Sequence, residues 1–140
     1  MKRQLIKWFG LMIVLFTFSA TAFGQVYKLK STSFSSKYKN NDFSWSKWSE
    51  ATESSVLITF DLNKDRITIY SDKTQVYDIA EYEGKTTDDD GDDFYSYYCV
   101  NEDGINCRVR IAKLNSQNGR NQVYVDFLDM RWMYNVYLLD

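Results

Sequence analysis

The chain has 140 residues, with 17 Lys and Arg against 19 Asp and Glu, a net charge of −2, no His and no Pro. The lack of His removes the commonest general base and the commonest zinc ligand. The mild acidity argues against a nucleic-acid partner or docking on anionic lipid, both of which demand a basic face.

Residues 1–24 come first and read as an export signal. Lys2, Arg3 and Lys7 form a basic head, Trp8 to Phe18 an apolar run, and Ser19, Ala20, Thr21, Ala22 and Gly24 a small-residue tail. The run is well short of the roughly 20 residues that span a bilayer. Ala22 and Gly24 place small residues three and one positions before a cut ahead of Gln25. The expectation is a cleavable signal peptide over 1–24 and a single all-β domain over 25–140, exported to the periplasm or the exterior. Removing the head leaves 14 Lys and Arg against 19 Asp and Glu, a net charge of −5. No Cys lies near the cut to carry a lipid, so no membrane anchor is expected after processing.

After Gln25 the dominant pattern is period-two alternation, the signal of strands packed on one face and wet on the other. Val56, Ile58, Phe60 and Leu62 share one face. Ile105, Cys107, Val109 and Ile111 do the same, with Arg108 and Arg110 opposite, and Val123, Val125 and Phe127 repeat it. The predicted strands are 26–34, 43–49, 55–62, 65–71, 75–82, 94–101, 105–114 and 121–128, with a ninth over 131–139. Asn63-Lys64-Asp65, Asn101 to Ile105 with Gly104 left-handed, and Asn118-Gly119 supply turns. An antiparallel meander of 8–9 strands leaves costly open edges unless it closes, so a small barrel is expected ahead of a sandwich.

Within strand 43–49, Phe43 and Trp45 share a face and Trp48 falls opposite. Aromatic rings beside polar groups suit sugar C–H faces, which makes Trp45 and Trp48 candidate ligand contacts; core packing is the plainer use of such residues. Asp88-Asp89-Asp90-Gly91-Asp92-Asp93 is the one charge run, and Asp88, Asp90 and Asp92 are candidate calcium ligands. The helix–loop–helix calcium motif fails on them. Aligning Gly91 with that loop's glycine puts Thr86 first and Tyr97 last, where an acid and a bidentate Glu are needed. A solvated loop is the plainer reading.

The three-residue turn at 102–104 places Cys99 opposite Cys107. A modest adjustment would close a disulfide in an oxidising compartment; two free thiols filling core space are the alternative. The last strand is apolar on both faces, with Trp132, Tyr134, Val136 and Leu138 on one and Met133, Tyr137 and Leu139 on the other. Segment 131–139 is therefore the candidate contact for a second copy or a protein partner.

No phosphate-cradling glycine loop and no G-x-S-x-G is present, and no cofactor is expected. Glu50, Glu53, Glu81, Glu83 and Glu102 could serve glycoside hydrolysis by residue type alone. The segments Thr74–Gly84 (TQVYDIAEYEG), Tyr98–Gly104 (YCVNEDG) and Lys113–Arg120 (KLNSQNGR), with an export segment ending Phe23-Gly24-Gln25, resemble small exported proteins of Bacteroidota-type bacteria. That resemblance spans most of residues 26–139 and implies shared fold, with no activity to carry over. Lipocalins are a more distant comparison, and their G-x-W strand is absent, since Phe43 and Ser44 precede Trp45.

Three functions remain open. The first is a non-catalytic exported β domain acting by binding or by assembly with another macromolecule. The second is a small-ligand carrier with a barrel pocket lined by aromatics such as Tyr95, Tyr97 and Trp132. The third is a carbohydrate-binding module or carbohydrate-active enzyme. A concave space of roughly 300–1,000 Å³ separates the second from the first.

Overall fold

The computed structural model describes residues 25–139; the predicted signal peptide lies outside them. The strands are β1 (Val26–Tyr38), β2 (Thr52–Glu53), β3 (Leu57–Asp61), β4 (Arg66–Ile69), β5 (Gln75–Thr87), β6 (Asp93–Asn101), β7 (Asn106–Leu114), β8 (Arg120–Asp126) and β9 (Met130–Leu138). Neighbours from β3 to β9 pair antiparallel in chain order. Strand β1 closes the ring by pairing with β3 on one side and β9 on the other. The result is a closed eight-stranded barrel with the two-residue β2 added outside on β1. Closure removes the free edges that an open meander would expose.

The alternation in the sequence becomes inside against outside. Ile58, Phe60, Ile67, Ile69, Val109, Val123 and Val125 are fully buried and fill the middle of the barrel. Ile105, grouped with the β7 apolar face from sequence, instead lies in the turn and is half exposed. The two turns read from glycine hold: Gly104 has φ +78°, and Asn118 and Gly119 have φ +59° and +75°.

Bulges alter the parity in β1 and β5. The β1–β9 register shifts between Ser31 and Ser33, so Thr32 is the extra residue. Leu29 and Ser31 face inward before it and Phe34 after it, which puts Lys37 on the outer surface. The β5–β6 register shifts between Ile79 and Glu81 and again between Tyr82 and Gly84. Pairing of β4 with β5 stops at Arg66 and Asp78, whereas β5 and β6 run on to Thr87 and Asp93. The β5–β6 hairpin therefore overhangs one barrel mouth.

The predicted strand 43–49 is absent. The segment forms a turn closed by Asn40 N–H on Ser44 O (2.7 Å), with Phe43 left-handed at φ +67° and 80% exposed. Beyond it the chain lies along the outside of β1. Ser46 Oγ accepts from Tyr38 N–H, Ser49 Oγ accepts from Ser36 N–H, and Ser35 Oγ donates to Ser49 O. Among the described residues only two backbone bonds run from this segment to β1, Ser46 N–H to Tyr38 O (2.8 Å) and Ser49 N–H to Ser36 O (2.7 Å). The Ser46 and Ser49 hydroxyls take up β1 amides that a regular ladder would pair, so the apparent alternation does not make a strand.

The cysteines also depart from expectation. Cys99 and Cys107 are opposite one another, as the turn implies, but both are free, buried thiols. Asn101 N–H bonds Ile105 O. Antiparallel alternation then makes Cys99 and Cys107 a hydrogen-bonded pair, the wider class at about 5.5 Å between Cα atoms. A bridge tolerates that Cα spacing, but the Cβ atoms of a hydrogen-bonded pair stand toward the far end of about 4.5–5.5 Å, beyond the roughly 3.5–4.5 Å that a disulfide needs. Burial pushes Cys99 up to about 12 and Cys107 up to about 11.

Candidate functional site

Above the filled middle, at the mouth under the β5–β6 overhang, lies a cavity of about 750 Å³. Leu29, Ile79 and Ile111 form its floor, and Tyr27, Tyr82, Tyr95 and Tyr97 its walls. The bulge at Ala80 is what places Tyr82 inward. It sits opposite Tyr97 with ring centroids 5.0 Å apart, and Tyr97 in turn meets Phe60 at 5.7 Å. Burial, with Tyr82, Tyr27 and Tyr95 close by, raises the pKa of the Tyr97 phenol. Its hydroxyl therefore stays neutral and can donate as well as accept a hydrogen bond.

Asp65 and Glu81 stand at the rim, and among the described residues no Lys or Arg lines the cup. Lys85 lies farther along β5 with its ammonium 5.9 Å from the Tyr95 ring, and it faces Asp93 at 3.8 Å. The cup therefore presents aromatic faces, phenol hydroxyls and carboxylates. Such a surface favours a neutral or cationic guest with a flat or rounded apolar body.

Of the residues singled out from sequence, Tyr95 and Tyr97 line this cup. Trp132 does not. It stacks edge-on against Phe127 (5.2 Å) at the opposite mouth, beside a smaller cavity of about 330 Å³ with Gln75 and Tyr77. Fully buried side chains lie between the two mouths, so the three aromatics do not share one pocket. Tyr27 and Tyr82 were missed. Tyr27 lay in a predicted strand, but only barrel closure brings it to the mouth, and only the bulge turns Tyr82 in.

Trp45 and Trp48 are outside the barrel, and cations gather on their rings. Arg131 lies 4.4 Å, Lys39 5.2 Å and Lys37 5.5 Å from the Trp45 centroid, and Lys37 lies 4.7 Å from that of Trp48. The two indoles thus lie between the 39–51 segment and the barrel wall with cationic side chains on their rings.

Asp88, Asp90 and Asp92 do converge, with carboxylate oxygens within 4.8 Å of one another. Asp88 Oδ1 accepts from the backbone N–H of Asp90 and Asp92, both at 3.0 Å. The buried Asp92 carboxylate accepts from Ser116 N–H (2.9 Å) and from its hydroxyl (2.8 and 2.9 Å). These bonds build the turn and tie it to the 3₁₀ segment Asn115–Gln117.

In segment 131–139, Tyr134 and Val136 are buried in the barrel core, while Tyr137 and Leu138 remain half exposed. Its inner apolar face is thus used by the fold.

Asp42, Glu83 and Asp93 are held below the usual carboxylate range by hydrogen bonds from Ser44, Arg108 and Thr87 respectively. A general acid needs the opposite displacement.

Comparison with protein-family models, curated proteins and solved structures finds no match to this chain. The functional reading therefore rests on the cup itself.

Proposed function

We propose that this barrel is a small-ligand binding protein whose site is the tyrosine-walled cup at the β5–β6 mouth. The guest is a neutral or cationic organic molecule with an aromatic or alicyclic body. The observation that carries this reading is the cavity of about 750 Å³ lined by Tyr27, Tyr82, Tyr95 and Tyr97. That volume falls within the roughly 300–1,000 Å³ typical of small-molecule sites. A filled barrel acting through its outer surface alone would have no need of such a hollow. Tyrosine supplies large rigid apolar area at small entropic cost, with a polar tip to fix orientation.

The test is a fluorescence titration with Nile red, a neutral polycyclic dye, on the wild type and on a Tyr27→Ala/Tyr82→Ala double variant. Both rings are about half exposed, so their loss leaves the core intact. Loss of two aromatic walls should weaken binding on the order of tenfold or more. Trp132→Phe, at the far mouth, should leave it unchanged. Equal binding by the wild type and the double variant, or no saturable binding, would overturn the reading. Native mass spectrometry of protein purified from its own host adds a direct check, since a co-purifying small molecule lost in the double variant would support it.

A further inference from the structure

A third concavity, of about 580 Å³, lies on the outer wall between the 39–51 segment and the β6–β7 turn, and it is basic rather than acidic. Lys39 and Arg131 line it, both close to the Trp45 ring, and Lys37 and Arg110 lie next to them on the same outer wall, against Trp48 and Tyr124, with Arg110 4.5 Å from the Tyr124 ring. One carboxylate, Asp126, answers them. It is spent mainly on Arg110, at 2.6 and 3.3 Å, and reaches Arg131 Nε only at 3.5 Å. Arg131 Nε is buried and has no hydrogen-bond partner among the described residues. Neither Lys37 nor Lys39 has a carboxylate within 4.0 Å among them. Arg108, also on the groove, is taken by Glu83 at 2.6 and 3.0 Å. Burial, with Arg131 and Arg110 nearby, lowers the pKa of Lys37.

With Asp126 held mainly by Arg110 and only loosely by Arg131, the positive charges of Lys39 and Arg131 are incompletely answered, and a further anion in the groove would relieve their repulsion. The opposite bank of the groove adds Ile105 and Leu128, apolar side chains 51% and 87% exposed.

We propose that this groove binds a small oxyanion-bearing molecule, a carboxylate, sulfate or phosphate carried on a carbon body. The anion bonds Arg131 and Lys39, and the body rests against Ile105, Leu128 and Tyr98. The site is separate from the tyrosine cup and stands whether or not the cup binds anything. The overall chain is acidic, so this patch is where an anion would be drawn.

The test follows the Trp45 and Trp48 indole N–H and the Arg131 Nε–H signals by ¹H–¹⁵N NMR during titration with glucuronate, inorganic sulfate and glucose. Glucuronate should shift them saturably, sulfate should do so more weakly, and glucose should leave them still. Arg131→Gln and Lys39→Gln should each weaken glucuronate binding about tenfold, the loss of one charge-assisted hydrogen bond. Lys39 is on the surface segment, so its replacement keeps the test valid if the Arg131 variant is poorly folded. Unmoved signals with both anions, glucose binding as well as glucuronate, or Lys39→Gln binding glucuronate like the wild type would each overturn the proposal.

Discussion

Raising the pH should unfold this barrel through its two cysteines, and the size of the effect follows from their burial. Cys99 is fully buried and Cys107 is 4% exposed. Their thiols ionise at about 12 and about 11 in the fold, against an ordinary 9.0. Below pH 9 both states keep the protons, and stability does not depend on them. Above it the unfolded chain releases protons that the folded chain retains, so stability falls as pH rises. Each thiol contributes a loss of about 1.4 kcal/mol per pH unit in that window. Two thiols give roughly 3 kcal/mol by pH 10 and roughly 5 kcal/mol by pH 11, comparable with the whole stability of a small domain. Tyr77, Tyr124 and Tyr134, all raised by burial, act in the same direction. The assay is urea unfolding at pH 8 and pH 10, on the wild type and on Cys99→Ala/Cys107→Ala. The variant starts less stable but should lose less between the two pH values. A thiol reagent at pH 8 should find no reactive Cys in the native protein and both after denaturation. Equal pH slopes for the two proteins, or a denatured chain with no reactive thiol, would refute the argument.

Two further perturbations probe the turns. Asp92→Ala removes the carboxylate that accepts from Ser116 and frees the acidic turn from the 3₁₀ segment, leaving Ser116 N–H without its partner. We expect a loss of about 1–3 kcal/mol in urea unfolding, with no change on adding calcium. Gly104→Ala meets no atom within 4 Å but forces a side chain to adopt φ +78°. Its cost is therefore backbone strain alone, about 1 kcal/mol, read as a lowered thermal midpoint with the far-ultraviolet circular dichroism spectrum unchanged.

The local signals in this chain determined a good deal. Alternation at Ile58 and Phe60, at Cys107 and Val109, and at Val123 and Val125 specified strands and which side would be buried, because one apolar face must hide from water. Gly104 and Asn118-Gly119 specified turns, because positive φ suits few residues. The facing of Cys99 and Cys107 followed from the length of one turn.

Tertiary structure decided the rest. Whether Phe43 to Ser49 became a strand depended on serines finding β1 backbone to bond, a partner 10 or more residues away in the chain for Ser49. Closure of β1 onto β9 brought Tyr27 to the mouth that holds Tyr97, and the bulge at Ala80 in β5 turned Tyr82 into the cup. Trp132, on an inward face like Tyr97, went to the other mouth because position along a strand, not parity, selects the barrel end. Period-two patterning records in or out for each residue. It carries no record of closure, of bulges or of which end a residue reaches, and those are what build the cup.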